Sequence, residues 1–356
     1  IKRHQPQRYA AIGHVMFCKD WIRACLTGVF ATDPTEASTA FTNPHSQAYD
    51  AAILELFDLH EIESALPPIR PIAGLIGTVT GEAAARAGVP AGTPVAGGLH
   101  DVTASAVGLG SLGPGVLSVT AGTFSINEVL SSTLVVDPRW AARAGLRPGQ
   151  WMNMAISPAS SNNVDWFLRQ AYRAELAEAE RRGASVWDAI DADLDRVPAI
   201  DDPLFHPFLY GSPYEEQASG GFFGLRSWHD RAHMLRAVIE GAVFNHRTHA
   251  LALASAFDLS RAAVTGGGSS TPRLAQLFAD VLGMPVDIPE AKEIGALGVA
   301  LAAGVGVGAY ASFEAGAAKA CRVAARYAPD AERHAAYSAR HARYAEIVEA
   351  MRPIWR

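Results

Sequence analysis

Residues 264–283 read VTGGGSSTPRLAQLFADVLG, and this stretch narrows the fold more than any other. A β-rich run ends in Gly266, Gly267 and Gly268, and a helical pattern begins near Pro272. Proline suits a first helical turn, where its missing N–H would have had no partner. Glycine lets backbone approach a ligand closely and permits positive φ. A strand handed to a helix in this way is the building unit of an α/β sheet. The amides at such a helix start suit a phosphate or the polar edge of a nucleotide. The same residues also serve as a plain tight turn. The run is neither a P-loop, since no Gly-Lys-Ser/Thr follows, nor a GxGxxG fingerprint.

A second handover is VAGGLHDVTASAVGLG at residues 95–110. Asp101 reads either as a helix N-cap or as a catalytic base facing a cleft, because ligands gather at the carboxyl ends of strands in α/β proteins. Gly97, Gly98 and the small residues beyond leave little bulk in the way, and His100 stands beside the acid. A third stretch, SVTAGTFSIN at residues 118–127, places Ala121, Gly122 and Thr123 between two strand-like halves. It suits phosphate contacts and equally a simple hairpin. A fourth, GGFFGLRSWHDRAHMLRAVIEG at residues 220–241, reads as a loop followed by an amphipathic helix carrying His233 and Glu240.

The 356 residues imply two domains. Hydrophobic residues at 49% and charged residues at 19% indicate a globular chain. A net charge of −6 and the lack of a Lys/Arg block point away from nucleic acid and anionic membrane as partners. Cys18, Cys25 and Cys321 show no metal-ligand spacing, which fits a reducing, cytoplasmic setting. No run approaches a membrane span. The opening IKRHQPQRYA has neither an apolar signal core nor an initiator Met, so the chain is expected to begin inside a longer one. Expected elements are a helical pattern over 9–28 capped by Gly28, a strand before Thr80, a short helix from Gly81, and a buried strand in GTPVAGG. After these come a β-rich 115–131 and helices over 163–182, 230–257 and 328–351. A domain boundary is expected near 98–105.

Taken together in order and spacing, these stretches resemble the FGGY carbohydrate kinases, the group of glycerol kinase and xylulokinase. The 220–240 run resembles the family's second signature, including His233 and Glu240. GGGSSTPRLAQLFADVLGMPV resembles its adenosine motif, with Gln276, Ala279 and Asp280 in register. EIGALGVALAAGVGVGAY resembles the helix that follows. The resemblance implies an α/β fold of two actin-like, ribonuclease-H-like domains with ATP and sugar meeting in the interdomain cleft. Residues 1–99 would be the remainder of a sugar-binding domain, and 100–356 the nucleotide-binding domain.

The resemblance also implies roles. Asp101 would be the base, with His100 and Asp101 at the substrate. Thr120, Gly122 and Thr123 would lie near the transferred phosphate, and Gly266, Gly267, Gly268, Ser269 and Thr271 would hold the adenosine side. Mg²⁺ would bridge the phosphates, with no metal ligand assigned on the chain. The family's Asp-x-Gly-Thr phosphate loop does not occur here, so most of the first domain is expected to be absent and the chain as given to be inactive or nearly so. AGTFSINEVLSS and ISPASSNNVDWFLRQ resemble the L-xylulose and erythritol kinase branch, with Asn162, Asn163 and Trp166 as cleft candidates. The implied partner is a small sugar or polyol, and a homodimer is a possible assembly. Two other readings stay open: a non-catalytic nucleotide-binding module, and an actin-like ATPase, against which the 220–240 run argues.

Overall fold

The computed structural model describes every residue except 199, 201, 202, 215, 216 and 356. Its strands are β1 (Leu75–Thr78), β2 (Pro94–Ala96), β3 (Val116–Ala121), β4 (Ser125–Ser131), β5 (Ala141–Ala144), β6 (Trp151–Ser157), β7 (Leu204–His206), β8 (Gly221–Phe223), β9 (Arg261–Thr265), β10 (Val286–Pro289) and β11 (Val323–Tyr327). Seven of them form one mixed sheet in the order β11-β10-β9-β3-β4-β6-β5. The central strands β3, β9 and β10 run parallel. The helix Pro272–Leu282 carries the chain from β9 to β10, as a parallel pair requires. β4, β5 and β6 extend the sheet antiparallel. Val116, Leu117 and Val119 are all buried, the near-continuous apolar pattern of a strand covered on both faces.

Strand alternation sorts side chains to two sides. Val129 packs in a cluster with Phe244 of the helix Arg231–Ala254, together with Leu117, Val264, Phe278 and Tyr344. Leu130 joins the opposite cluster, with Leu99, Val107, Met152 and Leu301. In that second cluster the helices Asp101–Gly108 and Ile294–Gly306 meet backbone to backbone. A Cβ on Gly298 would lie 1.9 Å from the Ala104 carbonyl oxygen, and one on Gly108 would lie 2.1 Å from the Ile294 carbonyl oxygen. Small residues in both helices are therefore a packing requirement.

Several expected elements differ in detail. The 9–28 pattern resolves into the helix Cys18–Thr27, ended by Gly28 at φ 74° as expected, and a separate short helix Pro6–Ala10. GTPVAGG is not a buried strand: β2 pairs only with β1 in a two-stranded ribbon, so its residues stay partly exposed. The 163–182 helix is two helices, Ser161–Ala171 and Arg173–Arg182. They break at Tyr172, whose buried ring donates its hydroxyl to Asp193 at 2.9 Å. Among the described residues no helix is long and apolar enough to cross a membrane, and Cys18, Cys25 and Cys321 are free.

The helix contact makes a direct prediction. Gly298→Ala should destabilise the protein by about 1–3 kcal/mol through overpacking. Gly295→Ala, whose Cβ meets only the Ser105 hydroxyl at 3.6 Å, should be neutral or gain up to about 1 kcal/mol of helix propensity. Urea unfolding of the two variants checks the contrast.

Candidate active site

The loop after β2 is built for close approach. The Gly97 and Gly98 amides donate to the Gly74 and Ile72 carbonyls at 2.9 and 3.0 Å. A Cβ on Gly97 would lie 2.4 Å from the Pro71 oxygen, and Gly98 takes φ 94°. Leu99 is buried, His100 occupies the N-cap position, and Asp101 is the first helical residue. Asp101 is thus not the cap; its Oδ1 accepts from the Val102 amide at 2.7 Å. The side chain is 89% exposed and faces a cavity of about 560 Å³ that Lys19, Glu36, His100, Ser105 and Gly295 also line. His100 Nδ1 lies 3.3 Å from Asp101 Oδ1, and its Nε2 lies 3.3 Å from Arg143 Nη1. Burial, and then the Arg143 charge, hold the His100 pKa below its ordinary value.

Two further groups were not singled out from the sequence. Glu128 on β4 is 2% exposed and its Oε1 has no hydrogen-bond partner. Burial pushes its pKa up to about 8, Arg143 pulls it down and Asp101 pushes it up. The carboxyl is therefore largely protonated at neutral pH. Arg143 on β5 has its own pKa lowered by burial, with Glu128, Glu36 and Asp101 acting against that. The sequence signal for Glu128 was an acid inside the β-rich run INEVL. Nothing local marked Arg143, which reaches His100 across 43 positions.

The triple-glycine loop and the β3–β4 turn come together at the ends of β9 and β3. A Cβ on Gly266 would lie 2.7 Å from the Ala121 oxygen, and one on Gly268 would lie 2.6 Å from the Ala121 side chain. The triple glycine therefore packs directly on the β3–β4 turn. Thr120 pairs with Thr265 in register, Gly122 accepts from the Ser161 amide at 3.0 Å, and Thr123 is exposed at the turn. Beside them is a cavity of about 340 Å³, lined among others by Gly267, Gly268, Ser270, Asp165, Trp187 and Phe278. Its walls are largely apolar with a few polar groups, the composition of a cofactor pocket. His246 in its wall contacts Ser125, Asn127 and Ser160, each at 3.0 Å, and burial pushes its pKa down to about 3.

Ser269 and Thr271 play a different part from the glycines. The Ser269 hydroxyl donates to the Gly266 carbonyl at 3.1 Å, and Thr271 caps the helix Pro272–Leu282 by accepting from the Leu274 amide. Both shape the loop. Asn162 and Asn163 are likewise tied to Pro158, Ser160 and each other, while Trp166 packs against Phe167. The signature residues hold the domain together: Arg340 pairs with buried Glu240 at 2.9 Å, Gln276 donates to Asp280 at 2.8 Å, and His233 completes a capping box with Asp230. Among the described residues no group of three or more His, Cys, Asp or Glu is placed to hold a metal ion. Mg²⁺ in phosphate sites takes few ligands from protein.

The chain is an α/β protein with an exposed acid over one cavity and glycines lining a second, an arrangement compatible with transfer between two bound small molecules. The model of the FGGY family of carbohydrate kinases, C-terminal domain, matches residues 117–307, and that of the N-terminal domain matches residues 1–108; the chain belongs to this family. Both domains are thus represented, and the expectation that most of the first is absent is not supported. The chain is 34% identical over 357 residues to the L-xylulose/3-keto-L-gulonate kinase of Escherichia coli, covering 99% of this chain and 69% of that one. It is 31% identical over 351 residues to the autoinducer-2 kinase of Yersinia enterocolitica, covering 95% and 66%. The crystal structure of xylulose kinase from Rhodospirillum rubrum superposes with a TM-score of 0.88 at 29% identity, covering 99% of this chain and 71% of that one. The protein is a two-domain α/β carbohydrate kinase.

Two predictions follow from the geometry. Because the folded Glu128 holds its proton up to a pH of about 8, whereas an unfolded glutamate loses it near 4.3, this residue's contribution falls as pH rises between those values. Glu128→Gln should therefore gain stability relative to wild type as pH is raised from 5 to 8.5, measured by urea unfolding at each pH. Gly267 has nothing within 4 Å of a built Cβ and no positive φ. Gly267→Val should accordingly fold with an unchanged Tm yet bind ATP at least about tenfold more weakly, as roughly 1.4 kcal/mol of lost contact implies. Calorimetric titration with thermal melts reads both.

Proposed function

We propose that this kinase phosphorylates a hydroxyl of a small keto sugar, a ketopentose such as L-xylulose or a closely related polyol, with Asp101 as the base. The observation that carries the reading is the exposed Asp101 carboxylate over an open cavity, with Gly267 and Gly268 lining a separate nucleotide-sized pocket. The names of the relatives point the same way, since L-xylulose, 3-keto-L-gulonate and autoinducer-2 kinases stand among them. The division into a sugar side, 1–99, and a nucleotide side, 100–356, belongs to this reading, as do the two actin-like domains.

In the reaction the attacking hydroxyl oxygen forms a bond to the γ-phosphorus of ATP, the β–γ bridge bond breaks, and ADP leaves. Asp101 takes the hydroxyl proton. Phosphoryl transfer depends mainly on positioning and charge stabilisation, so the base contributes through placement as much as basicity. Thr120, Gly122 and Thr123 lie at the turn facing the phosphates, and Gly266–Ser269 with Thr271 form the adenosine-side loop. His100 contacts the acceptor. Mg²⁺ supplies charge neutralisation on the phosphates when bound.

Coupled ADP release across L-xylulose, D-xylulose, erythritol, glycerol and 3-keto-L-gulonate tests the proposal. Turnover is expected with a ketopentose. ATP binding without turnover on any acceptor would support the non-catalytic reading instead. Asp101→Asn should lower turnover by about 10²–10⁴ with stability and sugar affinity nearly unchanged; activity within a few-fold of wild type would sink the assignment of the base.

A further inference from the structure

Among the described residues the Asp101 carboxylate meets only its neighbours His100 and Val102, so its aim follows the backbone of this turn. That backbone is gripped from two sides by residues far away in sequence. Thr35, 1% exposed, accepts the His100 amide at its hydroxyl at 2.8 Å and donates the hydroxyl proton to Asp33 Oδ1 at 2.5 Å. Asp33 caps the helix Pro34–Ala37 with the same oxygen, and its second oxygen meets the Lys19 ammonium. Burial works against that ammonium, yet Asp33 holds its pKa above the ordinary lysine value. On the other side Arg23, 5% exposed, donates to the Gly97 and Ala31 carbonyls and pairs with Asp20 at 2.9 Å.

We propose that Thr35 is a positioning residue for Asp101, held rigid by Asp33 and Lys19, and that Arg23 fixes the same loop at Gly97. The proposal rests on Asp101 being the base. Four buried or half-buried charges, Lys19 and Arg23 against Asp20 and Asp33, are a poor route to stability, because desolvation offsets most of the pairing. What they provide is geometry. The Thr35 hydroxyl proton is committed to Asp33, which orients the lone pairs and so the direction from which the His100 amide donates. A misplacement of about 1 Å at a reacting group costs up to about 10²-fold in rate.

The test uses the whole chain with its ketose substrate. Thr35→Val keeps the shape and removes the hydroxyl; kcat should fall about 10–10²-fold, with KM for sugar and ATP within a few-fold of wild type. Thr35→Ser restores the hydroxyl and should recover kcat to within a few-fold. If Thr35→Val does not fold, Thr35→Ala, which cannot clash, should show the same fall in kcat and the same rescue by serine. Wild-type kcat in a folded Val or Ala variant overturns the proposal, and so does a serine variant as slow as valine. Asp101→Asn is measured alongside. If it loses turnover while Thr35→Val does not, only the positioning role fails. If Asp101→Asn stays active, the base assignment and the positioning role fall together.

Discussion

Two backbones in near contact hold this structure in register. The Ala104 carbonyl faces Gly298, and the Ile294 carbonyl faces Gly108, with no room for a side chain at either glycine. The crossing locks the helix that begins at Asp101 to the helix that follows β10, and so joins the early part of the chain to the late part. Leu99, Val107 and Leu301 then bury against Leu130 and Met152 of the sheet. Asp101, Ala104 and Ser105 of the first helix and Gly295, Ala296 and Val299 of the second line the cavity below Asp101.

The sheet arranges the chemistry along its length. Ser118 pairs with Glu128 and Thr120 with Ile126, so one face of the β3–β4 hairpin runs from the buried glutamate toward the turn at Gly122. At that turn the triple glycine packs on Ala121. The opposite face carries a polar layer of its own, in which His246 and His249 reach the Ser125, Asn127, Ser160 and Ser157 side chains. Burial holds both imidazoles at low pKa, so this layer is a network of neutral groups. Charge is concentrated on the acceptor side, where Lys19, Glu36, His100, Asp101 and Arg143 gather.

The triple-glycine loop and its helix start were legible in the sequence because their signals are local. The glycine triplet, the proline after it and the hydroxyl at Thr271 are adjacent residues whose backbone demands show in their types. The helix ended by Gly28 and the β3–β4 hairpin were legible for the same reason. The acceptor side was less so. GTPVAGG looked like a buried strand because it is apolar, but exposure depends on which strands come to cover it, and only β1 does. Asp101 read either as a cap or as a base, and the cap position falls on His100, a shift of one residue that the loop geometry decides.

By itself the sequence determined the α/β class, the glycine loops, the family and the acid at position 101, since each depends on residue types at short spacing. Only the tertiary structure decided that Glu128 is sealed from water near Arg143, that Asp165, Trp187 and Phe278 wall a cavity beside the triple glycine, and that Thr35 holds the His100 amide. Those facts depend on residues tens of positions apart being brought within hydrogen-bond or van der Waals distance. That proximity is set by how helices and strands pack, and no short stretch of sequence encodes it.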